Sequence, residues 1–127
     1  MDFDFSDEQY HMRDALRGML ARECTPQHVR AMWNDASGRS PERWRHLGEM
    51  GVLGVCIPED AGGFGGDEVD MVLLLEEAGR HVLPEPLLEH AALAGPLLSR
   101  AGSTAQQSAW LPGLASGEAL ATVGLRS

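Results

Sequence analysis

Apolar residues early in the chain recur at helical spacing. Met12, Ala15, Leu16, Met19 and Leu20 fall at i, i+3, i+4, i+7 and i+8, the stripe of an amphipathic helix. Ser6 and Gln9 stand ahead of it at capping-box spacing, and Phe5 with Tyr10 sits where a hydrophobic staple would fix the first turn. The pattern stops near Cys24, before Pro26, and a weaker helix is predicted over 26–34. After the loop Ser37, Gly38 and Arg39, Ser40 as N-cap and Pro41 at the first helical position open another helix. This one carries Trp44, Leu47 and Gly48 on one face and ends near Gly51.

Further along, the apolar run Val52 to Ile57 is stopped by Pro58. Gly62, Gly63, Phe64, Gly65 and Gly66 must then be irregular backbone. Asp67 caps the next predicted helix, whose centre, Met71 to Leu75, is apolar almost all round. Glu76 with Arg80 and Glu77 with His81 lie four apart at its far end. Pro84 and Pro86 lead into a helix that is apolar from Leu87 to Leu98. Pro96 lacks an N–H and crowds the carbonyl four residues back, so a kink or two shorter helices are expected. Ser103 and Gln106 repeat the capping-box spacing for a last helix ending at Leu111, with Pro112 behind it. Ser116, Gly117 and Glu118 make a turn into Ala119 to Leu125, which reads as a β-strand. The sum is an all-α domain of about six helices over residues 1–112, then a turn and a first strand over 113–127. A strand without neighbours exposes unpaired backbone groups, so the chain is expected to be a fragment, a split gene product or a piece that pairs with another polypeptide.

Composition narrows the partners. The 127 residues carry a formal charge of −9, and all ten strongly basic residues are arginines scattered along the chain, which argues against nucleic acid or an anionic membrane surface. Cys24 and Cys56 are isolated and read as reduced thiols of a cytoplasmic protein. The acidic start, Asp2 to Asp7, is unlike a signal peptide, and no stretch approaches the ~20 apolar residues of a membrane span. His11, His28, His46, His81 and His90 make no metal-ligand spacing and read as helical surface and caps.

Four phrases together carry a resemblance. Trp44, Leu47, Gly51 and Gly54 form a Trp-x-x-Leu-x-x-x-Gly-x-x-Gly phrase, followed by Pro58, Glu59, Gly62, Gly63 and Gly65 in the pattern Pro-Glu-x-x-Gly-Gly-x-Gly. Glu76, Glu77, Gly79 and Arg80 close a helix as Glu-Glu-x-Gly-Arg, and Leu111 to Glu118 read Leu-Pro-x-Leu-x-x-Gly-Glu. In this order they resemble the amino-terminal part of the acyl-CoA dehydrogenases, flavoenzymes that oxidise the Cα–Cβ bond of acyl-CoA thioesters. The resemblance covers nearly the whole chain and makes residues 113–127 the opening of a middle β-domain.

It also implies chemistry. A carboxylate base takes the α-proton while FAD accepts hydride from the β-carbon, so base and flavin lie on opposite sides of the acyl chain. In the family the base is usually a Glu of the carboxyl-terminal domain, so no catalytic residue is assigned here, and Glu76 and Glu77 read as salt-bridged helix carboxylates. Leu87, Leu88, Glu89 and Ala92 fall where family members line the acyl pocket, although core packing explains the three apolar ones equally well. Val123, Leu125 and Arg126 are the implied flavin-facing positions. Here the sequence departs from the common Leu-Thr-Glu and reads Leu125, Arg126, Ser127, putting an arginine in the place of the flavin-facing threonine. The glycine loop lacks the P-loop lysine and the spacing of a dinucleotide fingerprint, so it reads as a structural turn that packs Phe64 against a neighbouring domain. Expected partners are an acyl-CoA substrate, like or unlike dehydrogenase chains in an oligomer, and an electron-transfer acceptor. The chain alone is expected to be inactive. The alternative is a non-catalytic helical subunit or remnant that binds a dehydrogenase chain.

Overall fold

A computed structural model describes residues 3 to 126. Six α-helices follow one another: α1 Asp7–Glu23, α2 Pro26–Trp33, α3 Pro41–Glu49, α4 Glu68–Arg80, α5 Gly95–Ala101 and α6 Thr104–Ser116. Short 3-10 turns occupy Val52–Gly54 and Glu59–Ala61, and a π-helical segment, Leu88–Ala94, runs directly into α5.

Helix α1 starts as its sequence requires. Ser6 Oγ accepts the Gln9 N–H at 3.2 Å, Gln9 Oε1 accepts the Ser6 N–H at 2.8 Å, and the Phe5 and Tyr10 rings meet edge to face at 6.0 Å. Leu16, Met19 and Leu20 are buried, while Ala15 lies exposed at the margin of the stripe. The helix lies along α4 and is locked to it by two polar contacts. Gln9 Nε2 donates to Asp70 Oδ1 at 2.7 Å, and Arg17 Nε donates to Glu77 Oε1 at 2.9 Å. Glu77 is almost wholly buried, and the Arg17 hydrogen bond holds its carboxyl below the ordinary 4.5 against the opposing effect of burial. Glu76 stays at the surface and pairs with Arg80 at 3.2 Å. Both are helix ion pairs.

Helix α3 begins with Ser40 Oγ accepting the Arg43 N–H and buries Trp44 and Leu47. Gly48 lies at its crossing with α6, where a Cβ would run into the Ser116 carbonyl, so the two helices approach closely only because this side chain is missing. The run Val52 to Ile57 forms the floor beneath that crossing and is buried throughout. Phe64 lays its ring over Gly51 and remains 57% exposed. The main core joins α1, α3, α4 and the 52–56 run, and a smaller cluster gathers Ile57, Leu111, Leu114 and Ala115 under α6.

The second half meets one sequence-based expectation in an unusual way and departs from two others. Pro96 does divide its helix, but through a π-helical turn: the Gly95 N–H donates to the His90 carbonyl five residues back, widening the backbone ahead of the proline ring. Helix α6 does not end at Leu111 but continues through Pro112 to Ser116 and closes on Gly117 at φ +87°. Pro112 is exposed, as is Ser108, whose carbonyl loses its helical donor, while burial of Leu111, Leu114 and Ala115 holds the helix together. Finally, the predicted strand Ala119 to Leu125 bends at Ala119 and then has no regular structure, and no strand occurs among the described residues. A strand needs a partner strand for its N–H and C=O groups, and among the described residues none pairs with this segment. Among the described residues, no helix is long and apolar enough to cross a membrane.

Candidate functional site on the α5–α6 face

The π-helical segment, α5, the end of α6 and the tail beyond it form one face of the molecule. Between them runs an apolar groove of about 530 Å³ lined by Ala94, Leu97, Leu98, Trp110, Leu120 and Val123 among others. Leu88, Leu93, Leu97 and Trp110 are each about half exposed, giving this face an outward apolar character.

The sequence-predicted residues divide across this face. Leu88 and Glu89 point outward, Ala92 is half-buried against the main core, and Leu87 is a core residue. Their alternation follows from the helical turn: consecutive outward positions 88 and 89 are flanked by inward positions 87, 90 and 91. Val123 lines the groove, whereas Leu125 and Arg126 are exposed beyond it; Ser127 lies outside the described residues. The structure therefore brings Val123 near Ala94 and Leu97 at the start of α5, but it does not gather the seven residues into one pocket. The backbone of Thr122 to Arg126 has no hydrogen-bond partner among the described residues.

What holds the tail against this face is a residue read from sequence as an ordinary surface or capping histidine. His90 is completely buried. Its Nε2 lies 2.9 Å from the Leu114 carbonyl, and the Ala121 N–H donates to its Nδ1 at 3.1 Å. A carbonyl can only accept and an amide N–H can only donate, so the imidazole is neutral with its proton on Nε2. Trp44 meets the ring edge-on at 4.8 Å and sends its own Nε1–H to the Gly117 carbonyl at 3.1 Å. Two buried heteroaromatic rings thus gather the last turn of α6 at Leu114, the turn at Gly117 and the tail at Ala121. The pairing of position 90 with 114 and 121 leaves no short-range trace in the sequence; the one available hint is a lone histidine in the otherwise apolar run 87–98.

Burial holds His90 below its ordinary 6.5, with the Leu114 carbonyl opposing the shift and Arg39 adding to it. The unfolded chain takes up this proton near 6.5 while the folded chain resists it. Stability contributed by neutral His90 is therefore present above 6.5 and is lost as pH falls through the folded value. Urea midpoints measured at pH 7.5 and 5.5 are expected to fall at the lower pH, and the fall should be smaller in His90→Gln.

Other candidate chemistry on the molecule is structural. Cys24 and Cys56 are free and buried, and burial pushes the Cys56 thiol up to about 11, out of the range of a reactive thiolate. Among the described residues, no group of three or more His, Cys, Asp or Glu side chains could hold a metal ion.

Comparison with known proteins gives a consistent picture. Residues 6–118 match the family described as "Acyl-CoA dehydrogenase, N-terminal domain". The chain is 46% identical over 119 residues to (2S)-methylsuccinyl-CoA dehydrogenase of Cereibacter sphaeroides, covering 91% of this chain and 21% of that protein. It superposes on the ChsE4-ChsE5 complex from Mycobacterium tuberculosis with a TM-score of 0.87 and 30% identity, over 96% of this chain and 34% of that one. It likewise superposes on an acyl-CoA dehydrogenase complexed with FAD from Bacillus anthracis, with a TM-score of 0.82 and 28% identity, over 93% and 20% of the two chains. The chain spans about a third or less of the curated relatives it matches.

Proposed function

We propose, for a chain that belongs to the acyl-CoA dehydrogenase family, that it forms the helical N-terminal part of a flavin-dependent enzyme oxidising the Cα–Cβ bond of an acyl-CoA. The observation that carries this reading is the outward apolar face over the π-helical segment and α5. Leu88 and Glu89 stand on it as the wall of an acyl pocket, with Leu87 and Ala92 anchoring that wall to the core. Glu89 is exposed and sits between Leu88 and the buried His90, which suits the rim of a pocket. Trp110, Leu97 and Leu120 extend the same face as a surface for dehydrogenase chains.

The tail residues fit a flavin. Val123 borders the groove, and the unpaired backbone groups of 122–126 are free to hydrogen-bond a ring edge or a neighbouring strand. FAD, when bound, supplies the hydride acceptor. Val123 and Leu125 would offer it apolar contact, and Arg126 a positive charge for a phosphate or ring edge. These residues bind and orient; none of them is a base. Glu77 is committed to Arg17, and the family resemblance puts the base in a carboxyl-terminal domain. The electron-transfer acceptor that reoxidises the flavin is a partner of the whole enzyme.

A second reading rests on Arg126, which stands where the family commonly has threonine. In it the chain is a helical subunit without a flavin of its own that completes a partner dehydrogenase chain. The heteromeric ChsE4-ChsE5 complex supports such an arrangement. The test is a visible absorption spectrum of the protein purified from its host, with mass spectrometry of the chains that accompany it. A flavin band bleached by an acyl-CoA supports the first reading, and a flavin present only in complex with a second dehydrogenase chain supports the second. Absence of both would overturn them. The 127-residue chain alone is expected to turn over no acyl-CoA with an artificial electron acceptor.

A further inference from the structure

We propose that His90 is a positioning residue: by donating to the Leu114 carbonyl and accepting from the Ala121 amide it ties the 119–126 segment to the helix bearing Leu88 and Glu89, so that the flavin side and the acyl side of the site are set as one unit. The proposal rests on the reading above for what those two sides face. The link itself rests on geometry alone.

His90 reaches 31 residues along the chain to Ala121. Up to Ala119 the exit from α6 is held by its own backbone, the Gly117 and Ala119 N–H groups both donating to the Gly113 carbonyl at 3.0 Å. Beyond that point the Ala121 N–H to His90 Nδ1 bond is the last hydrogen bond before five residues whose backbone has no partner among the described residues. The imidazole is fixed from behind as well, since its Nε2–H is spent on Leu114 and its ring meets Trp44 in a T-shaped pair. A side chain with both ring nitrogens engaged in a solvent-free site has one orientation, and it transmits that orientation to the tail. Leu88 and Glu89 are the two residues immediately before it. Rotation of the π-helical turn would therefore carry the Ala121 anchor with it.

The two bonds can be separated by substitution. His90→Asn places an amide oxygen where Nδ1 stands, keeping the acceptor for Ala121 and giving up the reach to Leu114. His90→Gln places an amide N–H where Nε2 stands, keeping the Leu114 bond and giving up the Ala121 bond. Exchange of the Ala121 amide, the one N–H of the tail that His90 accepts, is expected to quicken at least about tenfold in His90→Gln, and its protection is expected to be restored in His90→Asn. Ala121→Pro deletes the donor from the other side while leaving His90 and Leu114 in place, and a spin label on Gly124→Cys is expected to gain mobility in it as in His90→Gln. It keeps the test informative if a histidine variant fails to fold. In the flavin-bearing complex isolated from the host, flavin retention should fall with His90→Gln and Ala121→Pro and recover with His90→Asn. Unchanged exchange of the Ala121 amide in His90→Gln, or unchanged label mobility in both His90→Gln and Ala121→Pro, overturns the proposal. Quickened exchange with unchanged flavin retention overturns instead the reading that the tail faces the flavin, and leaves His90 as the anchor of a segment that faces a partner chain.

Discussion

Replacing Arg43 with methionine is expected to lower the unfolding free energy by about 3–5 kcal/mol, the typical cost of removing one member of a buried ion pair. Arg43 and Glu85 are both buried, and their closest approach is 3.1 Å between Nη1 and Oε2. Glu85 Oε1 also accepts the Ser40 N–H at 2.6 Å, and Arg43 spends its Nε and Nη2 on the Glu23 carbonyl at 3.1 and 2.7 Å. The guanidinium therefore joins the end of α1, the start of α3 and the loop ahead of the π-helical segment. Its loss leaves a carboxylate without a counter-charge in a dry site and a carbonyl without its donors. The double variant Arg43→Met with Glu85→Leu is expected to recover most of the loss, because both charges leave together. Urea unfolding of the three proteins measures this; a loss below about 1 kcal/mol in the single variant would show that water reaches Glu85.

Trp44→Ala is expected to cost about as much, 3–5 kcal/mol on the scale of buried aromatic truncations. The ring is 4% exposed, packs in the main core, receives Arg39 at 5.3 Å above its face and supplies the Gly117 bond. Trp44→Phe separates these contributions. It keeps much of the apolar contact and removes the N–H, so its cost should be smaller and weighted toward the Gly117 carbonyl, about 1–2 kcal/mol. Comparing amide protection at 117–119 in the two variants against their urea midpoints measures the division. Equal stability of Trp44→Phe and the parent would mean that water satisfies Gly117.

Much of this fold was legible because its signals are local. Ser6 with Gln9, Ser40 with Pro41, Asp67 and Ser103 with Gln106 each fix a helix start through contacts two or three residues away, and each start stands where its signal placed it. Pro112 misled because a local rule met a tertiary one: its missing hydrogen bond costs less than exposing Leu114 and Ala115 would. The 119–125 run has the apolar character of a strand, but a strand is a property of two segments, and the second is not among the described residues. Arg43, Glu85 and His90 were beyond reach for a related reason. Their partners lie 20 to 45 positions away, and nothing in the identity of an isolated Glu between two prolines, or of one His in an apolar helix, announces which distant backbone group it meets. The candidate site was legible to the same extent: the outward positions 88 and 89 and the groove-lining Val123 were marked, while the residue that connects them was not.

The unpaired run beyond Ala121 sets a mechanical limit. With the Ala121 amide fixed to a buried ring and five residues following it to Arg126, the fully drawn-out chain reaches about 17 Å from that post. Any body or label joined at Arg126 is leashed to a known point on a rigid helical support. Its relative motion is a swing on a short arm about Ala121, and a distance probe placed on it reads an angle more than a separation.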